Sequence, residues 1–514
     1  MAVKTFAAID VGSYELSMKI FSFSTGTGIK DIDHLRHRIE LGTETYTMGK
    51  LSVEKVDELC RVLSEFADVM RSYKVSDYVA YGTSAIREMK NRKIILDQIE
   101  KRTGIRIEVL SNSEQRFLDC KSVAFKGDRF RKLVAKGTAV VDIGGGSIQI
   151  SLFDKDTLIT SQNLRLGILR LREELGTMYI KPSAYADIIS ESADSQLEPF
   201  EKLYLKDVRI ENLIVIDEYI SRALLTGRRK GADCYIEARQ YLESMQDFLD
   251  APASEHVRKM QMPEESLLLV HISAILVRNI LRDTGAKHIW IPGVSLADGI
   301  AYEYAEKNRI IQPVHNFEKD ILGCAQNISN RYMGSKTRGE TLEAISVAIF
   351  DAMKKQHGLK KRERLLLRLA AFLHDCGKYI TLMNVGEASY EIIMSTEIIG
   401  LSHNERMIVA SVVRYTYGRF AYYDELAKTH SLDPASYLVI AKLAAILRLA
   451  AALDKSHREK FKNISASLRG SVLNLTVDTD DDITLEKGSF DDKASFFEEI
   501  FSITPVIKKM RSRK

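Results

Sequence analysis

The sequence predicts two α/β domains that face a common cleft, followed by a helical domain with a small terminal β-ribbon. Three observations lead to this architecture. Segments typical of strands and helices alternate along the first third of the 514 residues, as in mixed α/β sheets. A strand followed by a glycine-rich turn occurs twice. After residue 314 the pattern changes to almost unbroken helix, and the length itself suggests about three domains.

The elements of the first third follow from local patterns. Short apolar runs predict strands at residues 6–10, 16–23, 77–81 and 105–110. Apolar side chains at helical spacing predict a helix over residues 51–73, with Ser52 as its N-cap. A second helix is expected over residues 94–102.

The strand–turn motif occurs as AAIDVGS at residues 7–13 and as VVDIGGGS at residues 140–147. In both copies an apolar strand ends in an aspartate, Asp10 or Asp142, and a turn with glycine and serine follows. The two aspartates lie about one domain length apart. We interpret the copies as corresponding loops of two domains that meet at one cleft, with chance similarity as the alternative.

The C-terminal part is predominantly helical from residue 316 to about residue 460. The longest apolar stretch, residues 437–453, is interrupted by Lys442 and Arg448, so a buried helix is expected rather than a membrane span. Residues 464–485 alternate apolar and polar side chains, which predicts a β-ribbon. The basic tail, KKMRSRK, is interpreted as a solvated end rather than an anion site.

The composition excludes several classes of protein. With 45% hydrophobic and 28% charged residues, the chain can bury large cores and is not a disordered tail. A net charge of +4 gives no argument for nucleic acid. Five cysteines without CxxC spacing argue against a disulfide framework or a thiolate zinc site. No secretory signal is recognisable, and we expect a cytoplasmic protein without a membrane or nucleic-acid partner.

The segment DIGGGS at residues 142–147 carries the strongest indication of chemistry. The glycines at 144–146 allow backbone N–H groups to approach an anion without interference from a Cβ, an arrangement suited to phosphate oxygens. Asp142 beside them would hold a hydrated divalent cation. A tight turn with a capping aspartate is the alternative, which the second copy at Asp10, Gly12 and Ser13 makes less favourable.

The segment YGTSAIRE at residues 81–88 follows a predicted strand and opens a helix. Thr83 or Ser84 can cap that helix. Arg87 in the first turn opposes the usual dipole preference, which makes sense if it faces an anionic ligand or a carboxylate. An ordinary surface arginine is the alternative.

Together these motifs resemble those of the exopolyphosphatase/guanosine pentaphosphate phosphatase (Ppx/GppA) family. The order is AAIDVGS, LGTETYTMGKLS, YGTSAIRE, LSNSEQRFL, VVDIGGGS and LRLGILRL, over about residues 5–310. The resemblance implies two actin-like (ribonuclease H-like) α/β domains, residues 1–125 and 126–312, and metal-assisted hydrolysis of terminal phosphoanhydride bonds. It also implies Mg²⁺ or Mn²⁺ as cofactor, inorganic polyphosphate or a guanosine polyphosphate as ligand, and a homodimer.

The resemblance also assigns roles to residues. Glu114 falls on the catalytic glutamate, the general base for the attacking water, and Asp142 on a magnesium ligand. The phosphate-binding positions are Asp10, Gly12, Ser13, Ser84, Arg87, Gly144, Gly145, Gly146, Ser147 and Gly167.

Four departures from the family pattern weaken the expected polar apparatus. Tyr14 stands in the place of an asparagine, and Ile148 and Gln149 follow Ser147 where Thr and Glu are usual. Gln115 replaces the second acid of a Glu-Glu pair, and Glu40 stands where an arginine is common.

Residues 313–514 resemble an HD-type helical domain through AAFLHDCGKY, GLSHNER and LRLAAALDKSH. His374, Asp375 and Asp454 remain of its metal ligands, whereas Thr341 falls on the first histidine. Because so few ligands rarely hold a catalytic metal, we expect this degenerate site to be empty and the domain to be structural.

Three functions remain open from the sequence. Glu114 favours a hydrolase acting on polyphosphate or guanosine pentaphosphate. Tyr14, Ile148 and Gln149 favour a protein that binds such anions with little turnover. An actin-like ATPase or sugar-kinase relative would need an adenosine-binding element, which the sequence does not reveal.

Overall fold

The protein is described by a computed structural model that covers residues 4–24, 28–176, 178, 184–206, 208–226, 231–250, 266–426, 432–461 and 463–510. The chain divides into two compact units, Met1–Asp320 and Ile321–Lys514. The first unit contains two α/β sheets and the second is mostly helical. All five cysteines are buried and free, in agreement with the absence of a disulfide framework.

The first sheet is built from the N-terminal residues. Its strands are β1 (Lys4–Val11), β2 (Glu15–Ser24), β3 (Gly28–Arg38), β4 (Asp77–Gly82) and β5 (Ile107–Val109). The first helices are α1 (Leu41–Met48), α2 (Val53–Ser72), α3 (Ser84–Glu88), α4 (Arg92–Thr103), α5 (Asn112–Ala124) and α6 (Asp128–Val134). The strand order is β3-β2-β1-β4-β5, with an antiparallel β1–β2–β3 meander and β4 and β5 parallel to β1.

Helix α2 agrees closely with its sequence pattern. The Ser52 side chain caps it by accepting a hydrogen bond from the Lys55 N–H group. Its apolar stripe, which includes Val56, Leu59 and Leu63, is buried. An amphipathic stripe at helical spacing with a serine N-cap is therefore sufficient to define this element.

The second sheet repeats the arrangement of the first. Its strands are β6 (Thr138–Ile143), β7 (Ile148–Asp154), β8 (Thr157–Leu164), β9 (Asn212–Ile216), β10 (Cys234–Glu237) and β11 (His288–Ile291). The accompanying helices are α7 (Ile168–Gly176), α8 (Tyr185–Phe200), α9 (Glu218–Leu225), α10 (Ala238–Asp250), α11 (Leu267–Thr284) and α12 (Leu296–Lys307). The order is β10-β11-β9-β6-β7-β8.

The two sheets share a three-stranded meander followed by a parallel strand beside its first member. β6, β7 and β8 are antiparallel and β9 is parallel to β6, as β4 is to β1. Asp10 pairs with Ser17 across the first hairpin, and Asp142 pairs with Gln149 across the second. The short sequence echo thus corresponds to equivalent positions in two similar sheets.

The expected boundaries assign helix α12 to the second domain, residues 126–312, but the helix packs on the first sheet. Its apolar face, which includes Leu296 and Ile300, packs in one buried cluster with Phe6, Phe21 and Leu118 of the first sheet and α5. The first sheet has a second apolar face that needs a cover, and α12 supplies it. The chain therefore returns to the first sheet after it has completed the second.

The second unit is built mainly from helices. They are α13 (Phe317–Arg331, which begins before the division), α14 (Lys336–Ala352), α15 (Lys354–His357), α16 (Lys361–Leu373), α17 (Val385–Ser395), α18 (His403–Tyr417), α19 (Tyr423–Leu426), α20 (Pro434–Leu453) and α21 (Thr484–Phe501). Among the described residues, α20 is the one helix long and apolar enough to cross a membrane, and 72% of its apolar window is buried inside the protein. It is the core helix that the sequence predicts.

The terminal β-ribbon is part of a three-stranded sheet, which is larger than the sequence predicts. β12 (Asn463–Arg469) and β13 (Val472–Asp478) form the hairpin, but β14 (Thr504–Lys509) joins β13 in parallel after helix α21. The alternating pattern ends at an acidic run, where Asp482 accepts a hydrogen bond from the Thr484 N–H group at the start of α21. The last four residues of the basic tail lie outside the described residues.

Candidate active site

Asp10 and Asp142 stand at the corresponding ends of β1 and β6 and face one cavity of about 440 Å³. Several of the positions assigned from the sequence line this cavity: Asp10, Gly12, Ser13, Ser84, Asp142, Gly144 and Gly145. Arg87, Glu114, Gly146, Ser147 and Gly167 are not among its lining residues. The repeated motif therefore does meet at one cleft within the first unit.

Both strand ends turn in the same way. The Gly12 N–H group donates to the Glu15 carbonyl at 3.1 Å, and the Gly144 N–H group donates to the Ser147 carbonyl at 3.0 Å. A Cβ on Gly12 would lie 2.8 Å from the Glu15 oxygen. Glycine at this position therefore permits a turn tight enough to bring backbone atoms to the cavity wall.

Gly146 and Gly167 support the second loop from behind. A Cβ on Gly146 would lie 2.3 Å from the Tyr46 hydroxyl oxygen, and one on Gly167 would lie 2.2 Å from the Gly145 carbonyl oxygen. The Ile168 N–H group donates to the Gly144 carbonyl at 3.1 Å, which ties the start of α7 to the loop. These glycines hold the loop in place from positions outside the cavity lining.

Three hydroxyl groups meet beside the loops. The Ser13 hydroxyl lies 2.7 Å from the Tyr46 hydroxyl and 2.8 Å from the Ser84 hydroxyl, and the last two are 3.0 Å apart. Burial raises the pKa of Tyr46. Sequence reasoning singled out Ser13 and Ser84 but missed Tyr46, which lies within the quoted LGTETYTMGKLS motif.

Glu114 caps the helix from which Gln115 and Asp119 line the cavity. Its carboxylate accepts a hydrogen bond from the Ser111 N–H group at 2.9 Å, and the Ser111 hydroxyl accepts one from the Glu114 N–H group. This capping box satisfies the first N–H groups of α5. The geometry therefore gives Glu114 a structural role, which the Ser-x-x-Glu spacing indicates, and its assignment as the general base stays a prediction.

Gln115, the next residue, lines the cavity. Its side-chain oxygen lies 3.4 Å from Arg87 Nη1, and the same Arg87 atom donates to the Leu110 carbonyl at 2.8 Å. Arg87 thus contacts both the turn before α5 and the Gln115 amide. Burial lowers the pKa of Arg87. The helix face that looks into the cleft carries an amide where the resemblance expects an acid.

Four aspartates concentrate negative charge in the cavity. Burial, then the charge of Asp142, raises the pKa of Asp10 to about 7. Burial and the Asp217 charge raise the pKa of Asp142 to about 7. Burial also raises the pKa of Asp217 to about 6, although the Ile220 N–H group and the Ser273 hydroxyl donate to it. The fourth, Asp119, was not recognised from the sequence, and burial raises its pKa well above the ordinary value.

The carboxylates fit a hydrated divalent cation. Asp10 Oδ1 and Asp119 Oδ2 are buried and accept no hydrogen bond from the described residues. Over the same residues, no group of three His, Cys, Asp or Glu side chains is placed to hold a metal ion alone. Mg²⁺ commonly keeps several waters and uses one or two carboxylates together with substrate phosphates, so this arrangement suits it.

Two of the remaining departures, Glu40 and Tyr14, have polar partners. Glu40 pairs with Arg172 at 3.2 Å and with Arg38, and these partners lower its pKa against the effect of burial. The Tyr14 hydroxyl lies 2.9 Å from the Ser266 hydroxyl. Gln149 is 2% exposed and lies outside the cavity lining.

In the second unit, His374, Asp375 and Asp454 do lie in one cluster, which Arg338 joins. Arg338, one helical turn before Thr341 on α14, places Nε 3.5 Å from Asp375 and 4.0 Å from Asp454. The Tyr417 hydroxyl donates to Asp375 at 2.6 Å, and His374 Nδ1 lies 3.0 Å from the same carboxylate. A buried guanidinium therefore supplies the positive charge between the two aspartates.

Known proteins share both the sequence pattern and the fold. Guanosine-5'-triphosphate,3'-diphosphate pyrophosphatase of Vibrio campbellii is 21% identical over 481 residues, 92% of each chain. Exopolyphosphatase 1 of Mycobacterium bovis is 26% identical over 166 residues, 32% of this chain and 47% of that one. The crystal structure of an exopolyphosphatase from Cytophaga hutchinsonii has 20% identity and a TM-score of 0.52, covering 61% of this chain and 100% of that chain.

Two family profiles match the chain. The profile of the Ppx/GppA phosphatase family covers residues 20–308, and that of Ppx/GppA phosphatase domain III covers residues 323–489. Two α/β domains followed by a helical domain with a small terminal sheet are confirmed. The actin-like relation of the first two domains and the likeness of the last domain to HD domains stay predictions. Since the first profile alone spans more than half of the sequence, the chain belongs to the Ppx/GppA phosphatase family, a family of phosphohydrolases.

Proposed function

We propose that the cleft binds a chain of phosphates together with a divalent cation and releases the terminal phosphate by hydrolysis. The observation that carries this proposal is the convergence of two Asp-x-Gly turns on one cavity, with Asp10 and Asp142 at matching positions. Phosphoryl transfer depends mainly on positioning and charge neutralisation, which this arrangement can supply. The names of the relatives support inorganic polyphosphate or guanosine pentaphosphate as substrate.

Each part of the cleft has a role in this proposal. The turns at Gly12–Ser13 and Gly144–Gly145 bring backbone atoms to the cavity, where N–H groups can bind phosphate oxygens. Asp10 and Asp142 would hold Mg²⁺ or Mn²⁺, which when bound neutralises phosphate charge and favours attack by water. The Ser13 and Ser84 hydroxyls lie beside the turns and can donate to the same phosphate chain.

A second candidate function is phosphate-chain binding with little turnover. Gln115 favours it, because the cleft-facing position of α5 carries an amide that cannot accept a proton from water. Gln149 is a second neutral residue, paired with Asp142 across the hairpin. Both candidates use the same cleft and the same ligands.

Phosphate release and binding should be measured together. The wild-type protein, Asp142→Asn and the exposed control Asp97→Asn are incubated with polyphosphate and with guanosine pentaphosphate, with and without Mg²⁺. Release that requires Mg²⁺, falls at least tenfold in Asp142→Asn and is unchanged in Asp97→Asn supports hydrolysis. Binding in the micromolar range without release supports the second candidate, and the absence of both contradicts the proposal.

A further inference from the structure

Asp119 is a buried acid that the family pattern does not assign. It lies on α5 one helical turn after Gln115, so both side chains project from the same face of the helix and both line the cavity. Asp119 is 4% exposed, and its Oδ2 accepts no hydrogen bond from the described residues. A carboxylate oxygen without a donor in so buried a place is stabilised either by a proton or by a positive partner.

The neighbours of Asp119 are themselves acidic. Asp142 is close enough to share a hydrogen bond with it, and the negative charge of Asp10 acts on it as well. Arg116, 1% exposed, is the basic side chain whose charge opposes this effect. One proton can relieve the contact between two carboxyl groups, but a divalent cation would stabilise the ionised forms of all three acids together.

Asp119 also supplies a carboxyl group to a cleft in which two expected acids are replaced. Gln115 and Gln149 are amides where the resemblance expects acids. Gln149 pairs with Asp142 across the hairpin, and Gln115 lines the cavity. Asp119 returns one carboxylate to the cavity from the helix face that carries Gln115. The alternative is a protonated Asp119 that serves only as a hydrogen-bonding group for Asp142.

We propose that Asp119 takes part in binding the hydrated divalent cation of this cleft through one of the water molecules of the ion, beside Asp10 and Asp142. The proposal rests on the proposed function for the presence of the cation, but not on turnover. It predicts that metal affinity depends on Asp119 even in a protein that releases no phosphate.

Direct metal binding tests the assignment. Mn²⁺ is titrated into the full-length wild type, Asp119→Asn, Asp142→Asn and the exposed control Asp97→Asn, followed by electron paramagnetic resonance of the free ion, with and without tripolyphosphate. We expect Asp119→Asn and Asp142→Asn each to weaken Mn²⁺ binding at least tenfold, and Asp97→Asn to bind as the wild type does. Wild-type affinity in Asp119→Asn, or no Mn²⁺ binding by the wild type in either condition, overturns the proposal.

Thermal unfolding shows whether Asp119→Asn is folded, and it measures metal binding without a need for catalysis. Without metal, Asp119→Asn should unfold at the wild-type temperature or above, because the substitution removes one acid from a buried acidic cluster. Mg²⁺ should raise the unfolding temperature of the wild type and should do so less for Asp119→Asn. An equal Mg²⁺-dependent rise in both proteins contradicts the assignment. If phosphate release is absent while the metal results hold, the hydrolysis proposal fails and the assignment of Asp119 stands.

Discussion

Gln115 lines the cavity together with Asp119 of the same helix, whereas the Glu114 carboxylate accepts a hydrogen bond from the Ser111 N–H group at the helix N-terminus. Adjacent residues on a helix point about 100° apart, and of these two Gln115 is the one that lines the cavity. A carboxylate at position 115 could accept a proton from water, and an amide cannot.

Gln115→Glu should therefore raise the Mg²⁺-dependent rate of phosphate release, by about a hundredfold if proton transfer limits turnover. Glu114→Gln is the matched control. Glutamine also serves at the third position of a capping box, so the rate and the unfolding temperature should change little. Initial rates of phosphate release for the two variants and the wild type decide the question. A large loss in Glu114→Gln without a gain in Gln115→Glu would return the catalytic role to Glu114.

Arg338 determines the electrostatics of the second unit's acidic cluster. Its guanidinium is 7% exposed and lies between Asp375 and Asp454. Burial alone would raise the pKa of Asp375, but His374 and the Arg338 charge hold that pKa well below its ordinary value. Asp375 is therefore ionised next to a permanent cation.

Arg338→Ala should destabilise the second unit by about 3 kcal/mol, because it removes the buried cation between two carboxyl groups and leaves Asp375 with the more exposed Lys378. The control is Arg364→Ala, which removes a more exposed pair with Asp351 at 2.9 Å and should cost less than about 1 kcal/mol. Urea unfolding followed by far-ultraviolet circular dichroism compares the two variants. Equal, small losses would mean that Arg338 does not stabilise the cluster.

Helix α7 and the turn before it show how one element positions the second glycine loop. Gly167 allows the chain to pass directly behind Gly145, where a Cβ would lie 2.2 Å from a carbonyl oxygen. Backbone atoms cannot move aside as a flexible side chain can, so the loop itself must shift if a methyl group is added.

Gly167→Ala should cost about 1–3 kcal/mol of stability and weaken polyphosphate binding, because the added methyl group displaces the Gly144–Gly145 turn. Gly176→Ala, at the other end of the same helix, is the matched control. A Cβ there meets nothing within 4 Å, and alanine is the better helix former. Unfolding temperatures and equilibrium binding of polyphosphate measure the difference. Equal binding by both variants would show that the loop tolerates displacement.

Elements with local signals could be predicted from the sequence, and those that depend on distant partners could not. Ser52 and the apolar stripe are local signals that define α2. Gly12 is a local signal for the turn after β1. By contrast, nothing near Leu296 shows that α12 packs against Phe6. Arg338 and Thr341 lie three residues apart on one helix face, so a helical pattern does not distinguish which of them faces Asp375.

The end of the first unit also lies further along the chain than the sequence suggested. His315 is 6% exposed and its Nε2 lies 2.6 Å from Asp320 Oδ2, while Asp320 Oδ1 accepts a hydrogen bond from the Leu158 N–H group at 3.0 Å. The Phe317 ring lies against those of Tyr302 and Phe117. These contacts bind residues 315–320 to the first unit, beyond the expected boundary at residue 312.

Two truncated chains test this boundary and the location of the site together. A chain of residues 1–334, which ends between α13 and α14, should bind Mn²⁺ and polyphosphate as the full chain does, because the cavity is lined by residues between Asp10 and Leu296. A chain of residues 1–312 lacks His315, Phe317 and Asp320 and so loses the Asp320 contact with the Leu158 N–H group. It should unfold about 5 °C or more below the longer chain. Differential scanning fluorimetry and calorimetric titration compare them. Equal unfolding temperatures would place the boundary at residue 312, and loss of binding in the longer chain would mean that the cleft requires residues of the second unit.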